Sequence, residues 1–185
     1  MFERWNWKEF EHVEQFRDEA FVAMDPGGAG KALAYEKGNP EPVLVASAAQ
    51  PEDVARIMRS VNARVLVAEA QYVTSLKAAR SVVELAFRSG IVVGYMIATR
   101  APVHVTHLFE VAASSWQAHQ RGHKGRTPKR AEMLKISKAR ALAEVSKNGN
   151  FALWWAAEVA AGKEGLASAL GLADLWRHTA WGPRP

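Results

Sequence analysis

Two carboxylates stand out by where they fall. Asp25 follows residues 20–24, which carry no charge, and precedes Pro26-Gly27-Gly28. An acid at the end of a buried strand is costly unless hydrogen bonds or a cation compensate it. Asp before Pro-Gly is also a common turn signal, so Asp25 can be read as a cap or as a metal ligand. Glu69 repeats the pattern at the end of Val65-Leu66-Val67-Ala68. Two buried strands that each end on a lone acid are harder to explain as two independent caps. If the strands are parallel neighbours, both carboxylates share one edge of the sheet and can share a divalent cation such as Mg²⁺, which prefers oxygen ligands.

The surrounding pattern supplies such a sheet. The runs on either side of the Pro/Gly turn, residues 20–37, read as a strand, a tight turn and an antiparallel strand. Residues 43–46 form a short third strand. Pro51 opens a helix over residues 51–61, with Glu52 and Asp53 near its positive end. Residues 63–69 return as a parallel strand, the order expected of an α/β sheet with right-handed crossovers. Residues 75–100 show helical spacing, with Gly90 and Gly94 as small residues that permit close approach. Residues 103–111 alternate as a strand. Ser114 or Ser115 can cap the short helix that follows. Residues 151–161 and 163–178 read as two apolar helices, the second stopped by Gly182-Pro183. Residues 1–19 hold six acids and three bases, with Trp5, Trp7, Phe10, Val13 and Phe16 at near-helical spacing, and are expected to form an amphipathic helical extension to a domain spanning 20–185.

Between His119 and Arg140 the composition changes. Arg121, Lys124, Arg126, Lys129, Arg130, Lys135, Lys138 and Arg140 face only Glu132. Solvated helix faces normally mix charge signs, so this one-sided run, a loop leading into a helix over 129–145, is read as a phosphate-binding surface. The whole chain of 185 residues carries a formal charge of +5, which favours a polyanionic partner. It has no cysteine, which excludes disulfides, thiolate metal sites and thiol nucleophiles. No signal peptide and no run of about 18–20 apolar residues is visible, so an intracellular protein without a membrane span is expected.

These pieces, in this order, resemble the RuvC-type Holliday junction resolvases, in particular the phage and organellar branch, within the RNase H-like superfamily. The resemblance is carried by Val22-Ala23-Met24-Asp25-Pro26-Gly27 with Gly30, by Val65-Leu66-Val67-Ala68-Glu69, and by the helix from Ala79-Arg80-Ser81 through Gly90 to Gly94. Val111 to Trp116-Gln117 and the basic segment 119–140 complete it. It implies an RNase H-like fold: a mixed sheet, an antiparallel hairpin plus parallel strands, flanked by helices on both faces. It also implies a homodimeric endonuclease that uses Mg²⁺ (or Mn²⁺) to hydrolyse phosphodiesters in branched DNA, each site cutting one strand of a four-way junction in the cytoplasm, that of a host if phage-encoded. Asp25 and Glu69 would be metal ligands, and Arg121, Lys124, Arg126, Lys129 and Arg130 would hold phosphates. The helix of residues 75–100 would be the dimer interface.

The final helix departs from the family, which places there two acids, or a His and an acid, three residues apart. In the best register those positions are Gly165 and Ser168. Two alternatives restore a ligand: Glu164, one position before Gly165 and about one turn from Ser168, or a register six residues later that brings in Asp174, with His178 one turn on as a ligand or general base. A third reading is a degenerate nuclease that keeps Asp25 and Glu69 and binds branched DNA without efficient cutting. A protein-interaction domain built on the tryptophan-rich helices is a further class, disfavoured by the basic segment, because charge is depleted at interface cores.

Overall fold

In a computed structural model of the chain, residues 3–6, 13–26, 30–70, 107–121, 149–160 and 165–182 are described, with single helical positions at 83, 90, 94, 135 and 139. The fold is α/β. Among the described residues, six strands form one mixed sheet: β1 (Glu3–Asn6), β2 (Phe21–Met24), β3 (Lys31–Tyr35), β4 (Leu44–Ser47), β5 (Val65–Ala70) and β6 (His107–Ala112), in the order β1-β6-β5-β2-β3-β4. The β2–β3 and β3–β4 pairs are antiparallel, while β2–β5, β5–β6 and β6–β1 are parallel. The hairpin and the parallel strands therefore meet at β2, the strand that leads into Asp25.

Alternation along the strands divides the core in two. Val22, Met24, Ala32, Ala34, Leu66, Ala68 and Leu108 face one side and pack with α1 (Pro51–Ser60). That helix starts with Pro51 in its first turn and buries Val54, Ala55, Ile57 and Met58, an i, i+1, i+3, i+4 stripe. Phe21, Ala23, Leu33, Tyr35, Val65, Val67, Phe109 and Val111 face the other side. Three helices lie there: α2 (Ala113–Arg121), α3 (Gly149–Ala160) and α4 (Gly165–Trp176), the last continued by a π turn over Arg177–Trp181. Nearly every residue of α4 is buried, which is why its sequence is apolar on all sides. Trp176 at its end is wrapped by Phe16, Phe21 and Phe109, with ring centroids 6.0, 6.2 and 4.5 Å away. Gly182, at φ 79°, ends the segment.

One expectation is corrected. Residues 1–19 are not a single helix: Glu3–Asn6 form strand β1, parallel to β6, and Val13–Phe16 form a short 3-10 turn whose Val13 and Phe16 enter the core. Without β1, the far side of β6 would expose a row of unpaired backbone donors and acceptors, and pairing outweighs the helical spacing of the aromatics. The segment thus belongs to the sheet.

Gly30 fixes the geometry between β2 and β3. A Cβ at this position would lie 1.9 Å from the Asp25 carbonyl oxygen. The Gly30 backbone also bridges to Gly165, the first residue of α4. The absence of a side chain there lets three backbone segments converge: the end of β2, the start of β3 and the N-terminus of α4.

Candidate metal centre

Asp25 lies one residue past β2 and Glu69 is the penultimate residue of β5. The parallel register pairs Met24 with Ala68, so its next step brings Asp25 level with Glu69. Both are odd-numbered, as are the residues of their strands that face α2, α3 and α4, so both acids belong to the three-helix side. The Asp25 backbone N–H donates to the Lys31 carbonyl at 2.9 Å, closing the hairpin beside the acid.

Each helix on that face brings one side chain to the pair. From α2, Trp116 Nε1–H donates to Glu69 Oε2 at 3.0 Å. From α4, the Ser168 hydroxyl hydrogen-bonds the Asp25 carboxylate. From α3 comes Glu158, which is 4% exposed and whose Oε1 lies 3.3 Å from Lys31 Nζ. Burial, then the neighbouring charges of Glu69 and, more weakly, Glu158 push the Asp25 carboxyl up to about 8, against a smaller lowering by Ser168. Crowded, desolvated carboxylates are what a cation would relieve.

The donor chemistry fits a hard divalent cation: carboxylate oxygens of Asp25 and Glu69, with Glu158 behind them and no sulfur or imidazole among the groups that perturb Asp25. Among the described residues, no three acidic or His side chains already converge closely enough to hold an ion. The parallel register brings the two acids Asp25 and Glu69 level, while Glu158 pairs with Lys31.

The other expected site residues fall elsewhere. Asp174 pairs with Arg177, which also donates to the carbonyl of Pro40 and lies over the Tyr35 ring. Pro40 and Tyr35 mark the far end of β3 from Lys31, so Asp174 is carried to the opposite edge of the sheet from Asp25. His178, in the π turn, stands with its ring 4.9 Å from that of His119. Glu164 lies outside the described residues, as do Lys124, Arg126, Lys129 and Arg130; Arg121 closes α2. Asp174→Asn is therefore expected to change any metal-dependent DNA cutting less than about twofold, measured beside wild type, because the part-buried pair it breaks lies at the far end of β3 from Asp25.

Glu158, Lys31 and the Ser168 contact were not anticipated. A signal was present: Glu158 is the one charged residue in the twelve-residue apolar helix α3, the same lone-acid pattern that marked Asp25 and Glu69. In the sequence, Trp116 stands out only as part of the Val111 to Trp116-Gln117 motif.

No protein-family model matches the chain, and no curated protein matches it. Among solved structures, the chain is similar to the crystal structure of the yeast mitochondrial Holliday junction resolvase Ydc2, with a TM-score of 0.47 at 12% identity over 94% of this chain and 84% of that one. A likeness at this level says nothing of activity.

Proposed function

We propose that the protein is a divalent-metal-dependent endonuclease acting on branched DNA, and that it works as a homodimer with Asp25 and Glu69 as its metal ligands. The observation that carries the reading is the pairing of these two acids at one edge of the parallel strands, where burial and mutual repulsion hold Asp25 protonated up to about 8. A bound divalent cation supplies activation of water and neutralisation of charge on the phosphate under attack. The chain's own part is positional. Trp116 fixes the rotamer of Glu69 through its N–H. Ser168 orients Asp25. The α2, α3 and α4 layer excludes water from the inner side of both acids. Mg²⁺, or Mn²⁺ in its place, suits these oxygen donors.

The basic run of residues 119–140 supports DNA as the partner, and Gly90 and Gly94, exposed four apart with open space where a Cβ would stand, leave room for a second copy. The competing reading is a junction-binding protein with a crippled site. It is favoured by Gly165 and Ser168 on α4, where the family resemblance calls for acids. No helix of the described residues is long and apolar enough to cross a membrane.

A labelled four-way junction incubated with and without Mg²⁺ separates the two. Symmetric nicks that require the metal support the nuclease; a shifted but uncut junction supports the binding protein. The double substitution Arg126→Ala with Lys129→Ala is expected to weaken junction binding uniformly across sequences and to lower the salt slope by about two. Unchanged binding and slope would remove the phosphate surface.

A further inference from the structure

We propose that Glu158 is the third acidic arm of this site and that Lys31 is its resident counter-ion, displaced from it when a divalent cation binds. The inference rests on the reading of Asp25 and Glu69 as cation ligands. It is carried by an imbalance at Glu158. The residue is 4% exposed, its Oε1 meets Lys31 Nζ at 3.3 Å, and its Oε2 has no hydrogen-bond partner. A buried carboxylate oxygen left without a partner is costly. Nothing else in the packing of α3 calls for it, since the neighbouring positions of that helix are apolar.

Three further facts aim it at the site. Its charge is among those felt by Asp25. Lys31 is joined to Asp25 through the backbone bond that closes the hairpin. Among the described residues, the α4 positions nearest the acids, Gly165 and Ser168, bring no carboxylate, whereas α3 supplies one. Lys31 has a flexible stem and a side chain 25% exposed, so its ammonium can leave toward solvent without disturbing β3. A buried ion pair gains little net over its desolvation, so trading an ammonium for a doubly charged ion is not opposed by a strong existing bond. The freed ammonium then stands at the mouth of the site as a point contact for a phosphate.

The test uses Mn²⁺ alone, without DNA, on the full chain, with free ion followed by electron paramagnetic resonance. Glu158→Gln is expected to weaken Mn²⁺ binding at least about tenfold, and Lys31→Met to tighten it several-fold, while Asp25→Asn weakens it strongly. If Asp25→Asn weakens binding but Glu158→Gln and Lys31→Met stay within twofold of wild type, the pair is structural and the inference fails while the cation site stands. If Asp25→Asn also changes nothing, or wild type takes up no Mn²⁺, the underlying reading fails with it. Should a variant not fold, wild-type protein labelled at glutamate carboxyl carbons decides: broadening of Glu158 together with Glu69 by Mn²⁺ is expected, and a sharp Glu158 beside a broadened Glu69 overturns the proposal.

Discussion

Asp25→Asn is expected to lower Mg²⁺-dependent cutting of a four-way junction on the order of 10³-fold, to leave junction binding within about twofold, and to make the folded protein more stable at pH 8. The loss follows from removing one of the two proposed ligands without changing shape. The gain follows from the carboxyl pushed up to about 8 by burial and by Glu69. Between its ordinary value of 3.8 and about 8, folded protein holds a proton on Asp25 that unfolded chain has released. The contribution of Asp25 to stability is therefore fully present below about pH 4 and is lost as pH rises through about 8. Asparagine never ionises, so this decline with pH is expected to disappear in denaturant melts without metal. The same proton competes with a cation, so Mg²⁺ affinity and wild-type cutting are expected to rise from pH 6 to 8. A variant no more stable than wild type at pH 8 would mean that Asp25 is not held protonated.

Gly30→Ala is expected to damage fold and site together. Its Cβ would stand 1.9 Å from the Asp25 carbonyl, a backbone atom that cannot rotate aside. Relief requires moving the end of β2 or the start of β3, and such overpacking costs about 1–3 kcal/mol. Either movement displaces Asp25 from Glu69, and the bridge from Gly30 to Gly165 passes it on to α4, hence to Ser168. Urea melts measure the first effect and Mn²⁺ affinity the second. A variant as stable as wild type with unchanged Mn²⁺ affinity would show that the convergence at Gly30 does not set the site.

The frame of the molecule was legible because its strands and helices carry clean local signals. The uncharged run before Asp25, the Pro/Gly turn, Pro51 and the run ending on Glu69 each mark an element to within a residue or two. Glu69 sits inside β5 rather than at its last position, since Ala70 still pairs with Ala112. The N-terminal segment was misread because its aromatics satisfy a helical spacing, while its strand is selected by a partner, β6, far along the chain. Glu158 was missed for a related reason. Nothing local says which face of α3 meets Asp25; only the packing of α3, α4 and the sheet brings it there. Asp174 draws attention by its spacing on the last helix, yet that helix runs from one edge of the sheet to the other, so six residues past Ser168 the chain has left the site.

The most direct measurement is anomalous scattering from crystals of the full chain grown with Mn²⁺ at pH 8, where about half of Asp25 has lost its proton before any cation binds. A manganese peak bound by carboxylate oxygens of both Asp25 and Glu69 is expected, and it should vanish in Asp25→Asn crystals grown in the same way. An ordered site with no peak between those two residues, at Mn²⁺ concentrations that support nicking of a junction, would contradict the assignment of this pair as the metal centre.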